Sequence, residues 1–376
     1  MKLVSVIPIA RGVGTEELTY YTSKDIDAGT ILEVPLRRKN VPALVTSVKN
    51  AEILKSQVRR ADFALKKVGR IISRNTFTPT FLEAVTEIKE QFASTTGATL
   101  NALAPAIALS HNPKVIPIRR TAGDGFEILL FQDKRSERVG RYKSLIREYF
   151  AKDQSVILML PTMHSVNEMA IELGKGVEES TYILNSSLPK KELTAQWSGI
   201  IRDPKPALII TTPKFLSVPR SDVGIIVVEE EGSRHYKLGS RPFIDYRTSA
   251  KILAEKLNSK ILFSDTVLRV EMINLLEENE AIELESLRKQ YRTETDVTII
   301  DSGKGEEGFK ILNEKLLKKI ALSQKNDERF FLYTTRRGMG SSTNCQDCGR
   351  VAKCEQCSSP VVLHERNKKR VFVCHV

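Results

Sequence analysis

Between residues 126 and 301 the sequence repeats a pattern that few folds can satisfy. FEILLF, SVILMLP, TYILN, ALIITT, VGIIVVE, KILFSD and DVTIID are strand-length runs without polar alternation. A strand with one wet face alternates apolar and polar residues, so unbroken apolar runs must be covered on both faces. Between most of them lie stretches with helical spacing, such as RYKSLIREYFAK (141–152), ELTAQWSGIIRD (192–203) and DYRTSAKILAEKLN (245–258). Helices in the crossovers supply the cover, and a parallel sheet of the α/β class is expected. Trp197, on the second of these helices, is expected in the core.

The flanks read differently. Residues 1–60 hold short β-rich runs (VSVIPIA, TILEVPL, VPALVTSV) broken by the turn signals DIDAG and RRKN, as in a small β-rich domain. FTPTFLEAVTEIKEQFA (77–93) has helical spacing, with Thr80 placed to cap it. Pro, Gly, small and basic residues then suggest a linker. EEGFKILNEKLLKKIAL and RFFLYTT, within 306–335, read as a helix and a strand that open a second α/β lobe. The expected divisions are 1–105, a linker over 106–125, 126–304, 305–340 and a cysteine-rich region at 341–376.

The balance is basic, with 58 Lys and Arg against 46 Asp and Glu, a net charge of +12. A polyanionic partner is expected, nucleic acid ahead of a membrane surface. No segment reaches the ~18 uncharged apolar residues of a spanning helix. The start, MKLVSVIPIAR, lacks the long apolar stretch and cleavage site of a signal peptide. All five cysteines fall between 345 and 374. A secreted disulfide framework would spread them through the fold, so metal thiolates and a cytoplasmic location are expected.

The cysteine spacing is C-x2-C-x5-C-x2-C-x16-C. CxxC lets two sulfurs of one tight turn reach a single zinc ion. The five-residue gap is short for one ribbon site, where roughly 12–20 residues separate the pairs. Interleaved sites fit better, the outer pair serving one zinc and the inner pair another, each completed by a pair downstream. The expected ligands are Cys345, Cys348, Cys354, Cys357 and Cys374, the last opening a third pair. His364 and His375 are left outside the set.

These cysteines follow FFLYTTRRGMGSSTN, and the whole stretch resembles the primosomal protein N′ (PriA) family of replication-restart DNA helicases. There a strand ending in Asn-Arg-Arg-Gly leads into a two-zinc insertion within the second helicase lobe. Arg336, Arg337 and Gly338, the CxxC pairs, Leu363-His364 and Cys374-His375 carry the likeness. LTYYTSKDIDAGTILEVPLRRKNVPALV is similar to the family's 3′-DNA-end-binding domain, and TFLEAVTEIKEQFASTTGATLNALAP to its closing helix. VGIIVVEEEGSRHYK resembles the helicase motif around Asp-Glu-Glu-His. The resemblance implies a RecA-like (P-loop NTPase-type) first lobe, the start of a second lobe, and zinc, ATP and Mg2+ as cofactors. It also implies forked or single-stranded DNA, and primosome or single-strand-binding proteins, as partners in replication restart and repair.

Several motif positions depart from the family. Its phosphate loop aligns with FQDKRSERVGRYKSLI, which puts Arg138 at the lysine and Val139 at the metal-binding hydroxyl. Arg135 and Glu137 stand where glycines belong. Val139 has no oxygen for a metal, Glu137 sets negative charge beside phosphate, and bulky side chains oppose positive φ. No G-x4-G-K-[ST] occurs anywhere, and Gly303-Lys304-Gly305 reads as a loop. Asp-Glu-Glu-His becomes Glu229-Glu230-Glu231-Gly232, where Glu229 could reach magnesium and Glu230 could act as a base. Ser-Ala-Thr becomes Ser264-Asp265-Thr266, and Pro-Glu becomes Pro161-Thr162.

In the end-binding domain Phe-Asp-Tyr becomes Leu18-Thr19-Tyr20 and Phe-Gly becomes Leu36-Arg37. Tyr20 could stack on a base; Arg37, Arg38 and Lys39 either hold phosphates or form a solvated turn. No winged helix fits in 106–125, and the late helicase motifs would lie beyond Val376. The first expectation is a DNA-binding relative without helicase activity. An ATP-dependent 3′→5′ helicase with a divergent nucleotide site and a non-enzymatic interaction scaffold are the alternatives.

Overall fold

The computed structural model describes residues 2–50, 65–110 and 125–285, then 298–299, 312, 314–333, 343–345, 347–355, 360–366 and 369–374. The chain divides into two compact units, Met1–Tyr291 and Arg292–Val376.

The first unit opens with strands β1 (Lys2–Pro8), β2 (Leu18–Thr22), β3 (Ile31–Leu36), β4 (Lys39–Asn50) and β5 (Ile71–Ser73), in the order β2-β1-β4-β3-β5. Their pairings are antiparallel. Period-two alternation sends Val4, Val6, Leu32, Val34, Ala43 and Val45 into one core. Ile7, Ile31 and Leu44 face the other way, into a second core shared with helices α1 (Pro79–Gln91), α2 (Thr96–Leu103) and α3 (Ala106–Ser110).

Helix α1 begins earlier than Thr80. Thr78 caps it, its hydroxyl accepting from the Phe81 N–H at 3.2 Å. Pro79 takes the first helical position, where its missing N–H is no loss. Residues 106–110, expected within a linker, form α3 and bury Ile107 and Ala108. The Ser73 hydroxyl donates to the Leu109 carbonyl at 3.0 Å, so this stretch belongs to the β-rich domain. Most of the expected linker, 111–124, lies outside the described residues.

The second sheet of this unit is parallel throughout. It comprises β6 (Ile128–Gln132), β7 (Ser155–Met159), β8 (Thr181–Leu184), β9 (Leu208–Thr211), β10 (Val223–Glu229), β11 (Lys260–Asp265) and β12 (Ile282–Glu283). The described strands are ordered β12-β6-β11-β10-β7-β9-β8. On one face lie α4 (Arg135–Ala151) and α5 (Met163–Leu173), through Tyr142, Ile146, Val166 and Met169. On the other lie α6 (Lys190–Arg202) and α7 (Tyr246–Leu257), and α8 (Val270–Glu277) adds Met272. Trp197 is buried there, as expected.

That second face is also where the β-rich domain attaches. Helix α1 packs along α7, and one hydrophobic cluster runs from Phe81 and Ile88 to Ile226 and Leu253. The Tyr246 hydroxyl donates to the Ala102 carbonyl at 3.2 Å, and Lys256 pairs with Glu87 at 2.6 Å. Of the strand expected at DVTIID only residues 298–299 are described, and they are not in a strand.

In the second unit the described residues form helix α9 (Glu314–Lys325) and the antiparallel hairpin β13 (Val362–Arg366) and β14 (Lys369–Val373). RFFLYTT is not a strand over its described residues 329–333, and Phe331 and Tyr333 are exposed. Apolar, aromatic-rich runs have strand propensity, but a strand also needs a neighbour to take its hydrogen bonds. None of the described helices is long and apolar enough to cross a membrane.

Candidate functional site

In an open parallel sheet, ligands bind beyond the carboxyl ends of strands where the connections diverge. Here the connection leaving β6 runs towards β7 and one edge, whereas those leaving β10 and β11 run towards the other. The carboxyl ends of β6, β11 and β10 therefore frame the expected crevice. They present Asp133, Ser264 to Thr266, and Glu229 to Glu231.

The crevice is occupied by the protein's own side chains. Only Asp133 and Lys134 separate β6 from α4, leaving no room for a broad loop. The first turn of α4 sends Arg138 inward, where it is 2% exposed beside a fully buried Glu229. The Arg138 Nη2 donates to Glu229 Oε1 at 2.8 Å, and Nε reaches Oε1 and Oε2 at 3.2 and 3.1 Å. Nη1 donates to the Asp133 carbonyl at 2.5 Å and to the Thr266 hydroxyl at 2.9 Å. One guanidinium thus ties together the ends of β6, β10 and β11.

Tyr142, one turn further along α4, donates to Glu229 Oε2 at 2.5 Å and is hydrogen-bonded to the Ser264 hydroxyl. Ser264 lies 3.2 Å from the same carboxylate oxygen. Behind them the Tyr236 hydroxyl sits 2.6 Å from the Glu229 carbonyl and 2.9 Å from that of Met159. Burial alone would lower the Arg138 pKa, but hydrogen bonding and attraction to Glu229 outweigh it and raise it, so the guanidinium stays charged. Burial, then the Glu229 charge, pushes the Tyr142 phenol well above its ordinary range. Charge, hydrogen bonds and volume are all satisfied internally.

The remaining acidic residues are separated from this cluster. Glu231 is buried and bonds Arg269, through the backbone N–H and Nε, both at 2.6 Å. Glu230 is half-buried with φ at 53°, in the left-handed region. Burial, then the charges of Glu229 and Asp265, raises its carboxyl pKa. Val139, at the expected metal-hydroxyl position, lies in the core among Phe131 and Leu145. Arg135 and Glu137 turn outward into surface ion pairs with Glu172 and Lys134.

In the β-rich domain Arg37 and Arg38 form the two-residue turn between β3 and β4, and Leu36 pairs with Lys39 across it. Arg37 takes φ at 54°, and Arg37, Arg38 and Lys39 are all exposed. Tyr20 differs from the expectation of a stacking platform. It is 5% exposed, packed with Val4 and Val34, and its hydroxyl donates to the Pro35 carbonyl at 3.1 Å. Its ring is therefore largely packed into the core, although the residue also borders an open pocket. An open pocket of about 400 Å³ beside it is lined by Glu17, Thr19, Leu36, Arg37 and Lys66.

In the second unit Cys345 and Cys348 are exposed, and Cys354 and Cys374 are half-buried. Gly349 adopts φ of 68° and its N–H donates to the Cys345 carbonyl at 2.9 Å, closing a tight turn around the first CxxC pair. Backbone bonds from Cys348 and Asp347, then the Cys348 thiol, lower the Cys345 pKa. No cluster of three or more ligand-type side chains is assembled among the described residues. Cys357, Arg336 and Arg337 lie outside the described residues.

The strand order and the acidic end of β10 at the point of divergence fit a RecA-like lobe of the helicase type. No family model matches the chain. Among curated proteins it aligns with the replication restart protein PriA of Rickettsia conorii at 27% identity over 237 residues, 62% of this chain and 36% of that protein. It aligns with PriA of Helicobacter pylori at 21% identity over 380 residues, 96% of this chain and 57% of that protein. The chain is similar to these PriA proteins, divergently so, and it spans about a third to just over half of their length. Among solved structures, the UvsW helicase of bacteriophage T4 overlaps 62% of this chain and 66% of that chain at 11% identity and a TM-score of 0.30, too loosely to add to the topology.

Proposed function

We propose that this chain is a DNA-binding protein of replication restart whose nucleotide crevice is closed by its own side chains, and that this crevice neither binds nor hydrolyses ATP. The buried Arg138–Glu229 pair carries this reading. ATP hydrolysis in helicase lobes needs a glycine-rich nest of backbone N–H groups, a lysine on the β- and γ-phosphates, and a metal held by a hydroxyl and an acidic strand end. Here the acid is neutralised by a guanidinium, the hydroxyl position is a core valine, and the nest is a two-residue connection. ATP and Mg2+ do not fit these residues without dismantling the pair.

Loss of ATP chemistry leaves a role in binding. The net charge of +12 and the exposed tip Arg37-Arg38-Lys39 support phosphate contacts without base readout. The family's likeness to DNA-end recognition extends here to the pocket beside Tyr20, where Arg37 and Lys66 would hold phosphate. The Gly349 turn supports the reading of Cys345 and Cys348 as one half of a zinc site. Cys354, Cys357 and Cys374 are the remaining candidate thiolates.

ATP turnover measured with forked DNA tests the reading. Release of phosphate should stay at background, and any nucleotide binding seen by calorimetry should be unchanged in Glu229→Gln. Turnover that disappears in Glu229→Gln would overturn it. Binding to a forked oligonucleotide should weaken steeply as salt rises, because each phosphate contact releases counterions. Salt-independent association would point to a protein scaffold instead.

A further inference from the structure

A second concave site lies at the seam between the β-rich domain and the parallel-sheet lobe, lined by none of the residues that fill the crevice. It is a cavity of about 600 Å³, within the roughly 300–1,000 Å³ of small-molecule sites, which favour domain seams. One wall comes from the loop Arg11–Gly14 after β1, another from the α1–α2 connection at Phe92–Thr95, and a third from Arg241, Pro242 and Phe243 after β10.

Three observations converge on an anionic, flat ligand. Among the described residues, Arg11 and Arg241 are the only charged ones lining the cavity, and both are exposed. Neither forms an ion pair among the described residues; Arg11 reaches only the Ser240 hydroxyl, at 3.3 Å. The one carboxylate tied to the adjoining helix start, Glu16, is already engaged by Lys89 and the Thr96 N–H. Phe243 is 59% exposed, an aromatic ring with an open face beside the two cations.

The backbone adds a third sign. Phe243 and Ala93 line this cavity with φ of 55° and 45°, conformations that disfavour side chains bearing a Cβ. Such strain is concentrated at ligand clamps. Gly12, at φ of 73°, has open space where a Cβ would stand. Guanidinium forks suit phosphate oxygens, and an exposed aromatic ring suits a base.

We infer that the seam cavity is a nucleotide-binding site, with the phosphate held by Arg11 and Arg241 and the base laid against Phe243. It does not depend on the reading of the filled crevice. The same chemistry is offered by a free nucleotide and by a nucleotide within a single strand, so the test has two arms. Deoxyadenosine monophosphate is titrated calorimetrically, and a labelled oligodeoxythymidine by fluorescence anisotropy. Each is repeated with Arg11→Ala/Arg241→Ala, with Phe243→Ala and with Phe243→Trp.

At least one probe should bind the unaltered chain. The double arginine variant should weaken that binding about tenfold or more, the scale of one or two lost charge-assisted bonds. Phe243→Ala should weaken it and Phe243→Trp preserve it, a rescue that lost folding would not give. Binding of the monophosphate identifies a free nucleotide, and binding of the oligomer alone identifies a strand. Binding of neither probe, or binding indifferent to all three variants, would overturn the inference. Nucleotide binding that ignores the seam but vanishes on changing Glu229 would overturn the closed-crevice reading as well.

Discussion

Arg138 engages both carboxylate oxygens of Glu229 at the floor of the crevice, with the two residues 2% and 0% exposed. A buried pair of this kind is fragile to the loss of one partner and tolerant of the loss of both. Arg138→Met should therefore cost about 3 kcal/mol in urea unfolding, because the buried Glu229 loses its only cationic partner among the described residues and keeps just the neutral Tyr142 and Ser264 hydroxyls. Arg138→Met with Glu229→Gln should recover most of that. If the single and double variants are equally unstable, the pair contributes through packing alone.

Glu230 carries two burdens at once, a left-handed backbone and a carboxyl whose pKa is raised first by burial and then by Glu229 and Asp265. A raised acidic pKa means that ionisation opposes folding above the unfolded value, about 4.3 for a glutamate, and that the penalty fades as pH falls through the folded value. Glu230→Gln should therefore melt above the unaltered chain at neutral pH, with the gap closing under acid conditions. Glu230→Gly should add about 1 kcal/mol beyond Glu230→Gln, at every pH, by relieving the backbone. A Gln variant no more stable at neutral pH would refute the electrostatic part.

Glu16 shows the opposite sign. Burial alone would raise its pKa, but bonds from Lys89 and Thr96 outweigh it and lower it. Its stabilisation is present above the unfolded carboxylate value and lost as pH falls through the depressed folded one. The side chain is 39% exposed, so screening trims the effect to about 0.5–1 kcal/mol, the range of a lost helix cap. Thermal melts of Glu16→Gln should fall below the unaltered chain at neutral pH, with the gap closing under acid conditions.

Gly97 sits in α2 where it crosses the end of β1. A Cβ there would lie 1.9 Å from the Pro8 carbonyl oxygen, a backbone atom that cannot swing aside. Gly97→Ala should destabilise the first unit by about 3 kcal/mol, at the upper end of overpacking, despite alanine's better helix propensity. Chemical denaturation decides it, and a neutral result would mean that α2 can slide along β1.

How far the fold was legible depended on the source of each signal. Runs such as SVILMLP and VGIIVVE announced doubly covered strands because their burial is written into consecutive residues, and β7 and β10 form there. RFFLYTT carries equal apolarity but no strand forms over its described residues, since pairing depends on a neighbour that composition does not specify. Thr80 was misread as a cap because Pro79 signals an N1 position, one residue after Thr78. Aligning motifs located Arg138 and Glu229 individually, yet no spacing rule joins residues on different strands, so their pairing was not visible. Tyr142, which completes the cluster, read as an ordinary helix residue, and Ser264 only as the opening of the altered Ser-Ala-Thr motif, with no sign that it would meet Glu229. Tyr20 read as a stacking surface because an aromatic residue gives no hint of which way its strand faces.

The shared core between α1 and α7 has a mechanical consequence. Force applied at the Arg37–Arg38 tip reaches the parallel sheet through interlocked carbon as well as through the covalent chain. A nucleic acid strand gripped at that tip would be held on a stiff arm, its distance from the seam cavity fixed by packing instead of by fuel.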